Sequence, residues 1–497
     1  MDMESTERHA GEILFTDERN RFALSKAVSR GRLRRIARGI YTRSRDEPSA
    51  VVRRNLWAIV GHEFPGAVVT DRSARRYAPD EHGWLTVVHS RSRPLKLPGV
   101  TIVPRRGSGP LFSDNPLPFG VWGASPERGL LENLGARSGG PTGRYLTVHE
   151  AEAWIVDLAA QSNGADRLND LRDRARQIAS TLGRDHAFDR LTSLVSAALV
   201  TGDASAAVSD ALRAWGQGEP FDRTRVERFT ALRGMLNDLA PEPLPTLLED
   251  DARRALLPFY EAYFSNYIEG TEFTLDEAAA IVFDDAVPPN RSEDAHDIIG
   301  TYRLVADAQE RRRTPNDPED FVATLLARHM TMLEARPDAL PGRFKDRANQ
   351  AGSTIFVAPD FVEATLRRGF EGANGLIDPY ARAVFMMFLV SEVHPFVDGN
   401  GRIARVMMNA ELSAGDQVRI IIPTVYRLNY LAALKGATHN NQFDSLVAML
   451  RFAQRYTARV DFSDRQSAER DLAATSALRD PVEAEDYGVR LKFPGGV

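Results

Sequence analysis

Hydrophobic and polar positions follow a helical period along most of this chain. The longest apolar run is Ala383–Val390. It sits inside a segment that Asp378 and Pro379 open, an N-cap followed by proline at the first helical position, so a buried helix is expected over Tyr380–Val393. Thr274 and Glu277 have capping-box spacing ahead of Ala278–Val282. Behind Pro258, the aromatic residues Phe259, Tyr260, Tyr263, Phe264 and Tyr267 share one helical face, which a helix normally buries as core. Two short runs, Trp84–Val88 and Val100–Val103, are rich in β-branched residues and read as strands. The expected fold is mainly α, with a small α+β part near the N-terminus.

At 497 residues the chain exceeds one ordinary domain. Four regions separate by pattern: 1–110, mixed; 111–245, a helical connector broken at SDNPLPFG and SGGPTG and ending in a PEPLP linker; 246–462, a larger helical unit; and 463–497, a helical tail. The composition is globular, with 43% hydrophobic and 26% charged residues. Cysteine is absent, which excludes disulfides, thiolate metal sites and thiol nucleophiles, and fits a reducing compartment. The N-terminus lacks the basic-then-apolar order of a signal peptide, and Ala383–Val390 falls far short of the roughly 18 residues of a membrane span. A soluble cytoplasmic protein with no membrane partner is expected. The net charge of −5 is uneven: residues 1–110 carry 21 Lys/Arg against 12 Asp/Glu, so the remainder is strongly acidic. A basic head on an acidic body points to a polyanion partner for the head alone.

The chemistry concentrates in His394-Pro395-Phe396-Val397-Asp398-Gly399-Asn400-Gly401-Arg402-Ile403-Ala404-Arg405. A buried helix ends at a histidine, a Gly/Asn turn follows, and a second helix opens with two arginines. Gly399 and Gly401 permit positive φ and close approach of a ligand to the backbone. The free N–H groups of the opening helix form an anion site. Arg402 and Arg405, three apart, share a face and can reach one polyphosphate. Asp398 is a hard oxygen ligand suited to Mg²⁺. His394, at the rim, has an ordinary pKa near that of a working general base. These parts suffice for nucleotide transfer to a hydroxyl.

The segment resembles the HPFx(D/E)GNGRxxR signature of the Fic family, with every fixed position present. The resemblance implies an all-helical core with a β-hairpin flap, and transfer of AMP from ATP to a Ser, Thr or Tyr hydroxyl of a target protein. It makes His394 the base and Asp398 the Mg²⁺ ligand. Gly399, Asn400 and Gly401 would hold phosphates, and Arg402 and Arg405 the β/γ end. Gly401 favours AMP transfer, because relatives that phosphorylate carry Lys there. Ser265-Asn266-Tyr267-Ile268-Glu269-Gly270 fits the family's (S/T)xxxE(G/N) inhibitory motif, so Ser265, Glu269 and Gly270 are expected to form a brake in which Glu269 pairs with Arg405 and misplaces ATP. The alternative is an ordinary helix end before a glycine cap. Some relatives with this motif also remove AMP. Pro341–Lys345 and Gln350–Val357, with Ala351-Gly352 as a turn, read as the flap on which a target strand would dock near 350–357. Tyr430–Leu434 and Ala437-Thr438 look like the family's segment over the adenine. Tyr430 there is either an ATP contact or a core aromatic, and Thr438 replaces a frequent Asn. A homodimer is also compatible with this reading.

In the basic head, Leu33, Ile36 and Ala37 have the spacing of an inward helical face, leaving Arg32, Arg34, Arg35 and Arg38 outside. An arginine-studded short helix entered by a turn suits a DNA groove, and a solvated face with no partner is the alternative. The segment is similar to the winged-helix N-terminal region of bacterial abortive-infection antitoxins and related regulators, which implies DNA binding or repression of a toxin system. The rival to an AMP transferase is thus a DNA-binding regulator whose nucleotide unit only senses.

Overall fold

The computed structural model describes residues 11–135, 143–161, 163–199, 207–246 and 252–495. The chain is mainly α and divides into two compact units, 1–219 and 220–497.

The first unit begins with a three-stranded antiparallel sheet of β1 (Ile13–Phe15), β2 (Arg34–Ala37) and β3 (Ile40–Thr42), in the order β1-β3-β2. One helix, Arg21–Ser29, joins β1 to β2. The arginine-rich stretch is therefore not the helix its spacing predicted. Gly31, at φ +69°, lies just beyond the helix, and Gly39, at φ +84°, turns a hairpin between β2 and β3. The i, i+3, i+4 spacing of Leu33, Ile36 and Ala37 also fits a strand with a bulge, and β2 shifts register between Arg35 and Ala37. Arg32, Arg35 and Arg38 are exposed. Arg34 instead holds its own loop, donating to the carbonyls of Arg45 and Asp46.

A second sheet has six strands in the order β6-β7-β5-β4-β9-β8. They are β4 (Val68–Val69), β5 (Trp84–Val88), β6 (Leu95–Leu97), β7 (Val100–Arg105), β8 (Asn115–Leu117) and β9 (Val121–Gly123). The strand expected at Trp84–Val88 is β5, and the one at Val100–Val103 runs on to Arg105. The sheet continues past residue 110, because β9 pairs in parallel with β4 and brings β8 with it. Helices Pro126–Leu134, Val148–Ala159, Gly164–Leu182 and Asp185–Ala198 follow and bury Leu130, Ile155, Leu168 and Leu191 in one cluster. Most of the SGGPTG break, residues 138–142, lies outside the described residues.

The second unit is helical around Pro379–Val393, whose Val384–Val390 run is fully buried. Its Asp378 cap accepts from the Ala381 amide, and the Thr274/Glu277 capping box is formed. Helix Asn400–Ala414 packs against it. The aromatic stripe buries Phe259, Tyr260, Tyr263 and Phe264 against Ile298 and Phe462. Helix Arg223–Asn237, expected in the connector, contributes Phe229 and Leu232 to this unit's core. The PEPLP segment is pinned rather than loose: Pro245 bridges Gln417, and the Val418 amide donates to Leu244 at 2.9 Å. Strands β10 (Gln350–Ala351) and β11 (Thr354–Ile355) form the expected hairpin, turning at Gly352 with φ +58°. Two short helices, Arg465–Ala474 and Pro481–Asp486, make the tail. Among the described residues no helix is long and apolar enough to cross a membrane.

Candidate active site

Helix Pro379–Val393 stops at His394, which adopts φ +54° and ψ +60°. A left-handed conformation is strained for a residue with a side chain and persists only where its surroundings enforce it. Here they do. The Lys345 ammonium donates to the His394 carbonyl at 2.8 Å and to Asn349 Oδ1 at 2.6 Å. Asn349 donates to the Phe396 carbonyl at 2.9 Å. The His394 ring stacks on Phe356, centroids 3.7 Å apart, just after the hairpin. Its Nδ1 faces the Ser391 carbonyl at 3.4 Å, which leaves Nε2 as the acceptor nitrogen. Burial, with the Lys345 charge adding to it, holds His394 down to about 4, so the ring is neutral at physiological pH. Burial, then the Arg225 charge, likewise lowers Lys345 to about 8.

Beyond it the loop is clamped from below. Asn400 is 3% exposed, and its amide both accepts from the Phe396 N–H (2.8 Å) and donates to the Phe396 carbonyl (2.9 Å). Its side chain thus fixes the turn, and only the backbone of 399–401 is left to meet an anion. Gly399, at φ +77°, caps helix Asn400–Ala414. A β-carbon there would meet Met332 Cε at 2.9 Å. His329 lies under the loop, stacked on Phe396 at 3.6 Å. Its Nδ1 accepts from the Gly342 amide (3.0 Å), so Nε2 carries the proton and donates to the Asp398 carbonyl (3.1 Å). Burial depresses His329 to about 4 as well.

Both arginines are buried. Arg402 pairs with Asp297 and with Asp398 Oδ1 (3.1 Å), and Arg336 bridges the same two carboxylates at 3.0 and 3.5 Å. Arg402 Nε and Asp297 Oδ1 are buried without hydrogen-bond partners. Asp398 is half-exposed. Its carboxyl lies below the usual range: burial opposes this, and Arg402, the Gly399 amide and Arg336 outweigh it. Arg405 is held by the helix Leu257–Ile268: its Nε donates to Ser265 Oγ (3.0 Å), and Nη2 donates to the Ser265 carbonyl (2.8 Å) and Glu269 Oε1 (2.7 Å). Glu269 caps that helix, Gly270 follows at φ +95°, and Arg427 donates to the Ile268 carbonyl at 2.9 Å.

The structure thus gathers His394, Asp398, Gly399, Asn400, Gly401, Arg402, Arg405, Ser265, Glu269 and Gly270 in one place. Tyr430 lies buried beside Arg405. It is 1% exposed in the core, its ring 5.9 Å from the Arg405 guanidinium carbon and its hydroxyl on the Met387 sulfur. Thr438 donates to buried Glu392 at 2.7 Å. Arg32, Arg34, Arg35 and Arg38 lie in the first unit. Asp297, His329, Arg336, Lys345 and Asn349 were missed as site residues, because they reach the loop only through tertiary folding.

Residues 320–412 match the model of the Fic/DOC family. Over 184 residues the chain is 27% identical to protein adenylyltransferase fic-1 of Caenorhabditis elegans, 36% of each chain. It is 24% identical over 265 residues to protein adenylyltransferase Fic of Nematostella vectensis, 51% of this chain and 59% of that one. The matches therefore span between 36% and 59% of these relatives' lengths. Among solved structures, a Fic-1 fragment from C. elegans is 21% identical and overlaps 66% of this chain and 93% of its own, with a TM-score of 0.34. The 394–405 loop falls within the segment, residues 320–412, that matches the Fic/DOC family model.

Proposed function

We propose that the second unit transfers AMP from ATP to a hydroxyl of a target protein and is held off by Glu269. The observation that carries this reading is a neutral, conformationally enforced His394 beside a helix N-terminus whose Arg405 is already held by an internal carboxylate. His394 Nε2 takes the proton of the incoming hydroxyl as its oxygen attacks the α-phosphorus. The bond to the bridging oxygen of the β-phosphate breaks, and pyrophosphate leaves. Backbone amides at 399–401, Arg402 and Arg405 balance the phosphate charge.

Asp398 fits a Mg²⁺ ligand: it is ionised, half-exposed, and a single carboxylate is what a phosphate-bound Mg²⁺ needs from protein. Bound there, the ion would offset phosphate charge. Glu269 occupies the guanidinium that would hold the outer phosphate, so ATP cannot align its α-phosphorus with His394. A target strand added along β10–β11 would bring its hydroxyl over His394, since Phe356 links that hairpin to the ring.

The Glu269→Gly protein with α-labelled ATP tests this. Label should enter protein from the α but not the γ position, and His394→Ala should abolish it. Label from γ indicates phosphoryl transfer, and label from neither supports a nucleotide sensor.

A second reading concerns the head. We infer that the β2–β3 hairpin, with exposed Arg32, Arg35 and Arg38, binds DNA as a wing, with exposed Arg21 and Lys26 of the preceding helix Arg21–Ser29 adding positive charge. A salt-insensitive or absent interaction with duplex DNA would remove it.

A further inference from the structure

The hairpin β10–β11 reaches His394 through Phe356, whose ring stacks on the imidazole at 3.7 Å. A ladder of two residue pairs is too short to hold its place by itself, so its outside contacts decide where it stands. The Phe356 amide donates to the Asn349 carbonyl at 3.2 Å, which makes 349 and 356 a hydrogen-bonded pair. Bonded and unbonded pairs alternate in an antiparallel ladder. The next pair, Gln350 and Ile355, therefore turns its carbonyls outward. Arg225 meets one of them: its Nη2 donates to the Ile355 carbonyl at 2.7 Å.

Arg225 stands 130 positions before Ile355, on helix Arg223–Asn237, outside the 320–412 segment. That helix start is fixed. Asp222 Oδ1 accepts from the Arg225 amide at 3.1 Å, and the Asp222 amide donates at 2.8 Å to Thr365 Oγ1, on the helix Val362–Glu371 that follows the hairpin. The guanidinium also faces Glu392, which lies two residues before His394 and is 1% exposed. Arg225 Nε is 2.9 Å from Glu392 Oε1, yet this N–H is buried without a hydrogen bond. Charge thus ties Arg225 to the end of helix Pro379–Val393, while its directed bond goes to the hairpin. Arg228 Nη1 pairs with Glu392 Oε1, and Thr438 Oγ1 donates to Oε2 at 2.7 Å. A carboxylate this buried persists only when paired, so Glu392 is a fixed anchor.

We propose that Arg225 is a positioning residue for transfer: it spans Glu392 and Ile355 and so sets how Phe356 and the hairpin stand against His394. This role rests on the transfer reading above. Phe356 directly follows the residue that Arg225 grips, so releasing Ile355 frees the stacked ring. Misplacing a reacting group by about 1 Å costs a transfer roughly 100-fold. Arg228 supplies the comparison, because it shares the carboxylate but gives its other bond to Asn441 Oδ1 at 3.2 Å and not to the hairpin.

The test places Arg225→Met, Arg225→Lys and Arg228→Met in the Glu269→Gly protein, each with unchanged circular dichroism, and supplies α-labelled ATP with lysate proteins as acceptors. Labelling should fall about tenfold or more in Arg225→Met. It should recover in large part in Arg225→Lys, which keeps the charge and a donor, and fall less in Arg228→Met. The His394 ring protons should lose the ring-current shift of the Phe356 stack in Arg225→Met and keep it in Arg228→Met. Should Arg225→Met not fold, Arg225→Gln carries the same comparison. Labelling equal to the parent's, an unmoved ring signal, or an equal loss in Arg228→Met overturns the role and leaves the transfer reading standing. A parent that binds ATP but labels nothing overturns the transfer reading, and the role with it.

Discussion

Glu269 Oε1 accepts from Arg405 Nη2 at 2.7 Å, and the same carboxylate lies against Gly401. One glutamate thus pairs with the last arginine of the 394–405 loop and covers its central glycine. The pair is only partly solvent-screened, with side-chain exposures of 6% for Arg405 and 34% for Glu269.

Removing the carboxylate should therefore release activity and not merely loosen the fold. On the proposed reading the glutamate withholds alignment and not chemistry, so Glu269→Gly should raise self-labelling from ATP by roughly tenfold or more. Gel autoradiography of purified protein measures this directly.

A methyl at position 401 would meet Glu269 Cδ at 2.9 Å. Gly401→Ala should then cost roughly 1–3 kcal/mol of stability in the wild type and much less in the Glu269→Gly background. Equal costs in the two backgrounds, measured by urea unfolding, would mean that Glu269 does not sit there in solution.

His329 and His394 both titrate near 4 in the folded chain instead of the ordinary 6.5. As pH falls below 6.5 the unfolded chain takes up protons first, so stability is full above 6.5 and is lost progressively toward 4. For His329, completely buried, the loss amounts to about 3 kcal/mol. His329→Gln should flatten that part of the stability–pH curve. For catalysis the same shift means that labelling by the Glu269→Gly protein stays level from pH 8 to 6.

Lys345 helps to hold His394 low, second only to burial. Lys345→Met should move the His394 titration upward from about 4, toward 6.5, as read by NMR of the ring protons. A downward or absent shift would place the ammonium's influence elsewhere.

The wing reading makes a graded claim. Arg35→Ala/Arg38→Ala should lower duplex affinity uniformly across sequences and reduce its salt slope by about 1–2.

Much of this was legible because it is local. Asp378-Pro379 marked its helix start within a residue, Thr274/Glu277 marked another, and the loop from His394 to Arg405 is contiguous, so its turn and helix opening follow from its own glycines. The arginine-rich head misled because Leu33, Ile36 and Ala37 satisfy a helical period and a bulged strand alike. The glycines at 31 and 39 were the better guide. Asp297 and Arg336 gave no local signal: they join Arg402 only because separate elements pack together. Tyr430 had two readings, and its burial beside Arg405 is what the core reading expects.

The most direct test is mass spectrometry of a lysate exposed to the Glu269→Gly protein, Mg²⁺ and ATP, with Glu269→Gly/His394→Ala as the paired control. A hydroxyl side chain carrying AMP in the first sample and unmodified in the second is the predicted result. No AMP-bearing peptide in either sample, from protein shown to be folded and to bind ATP, would contradict it.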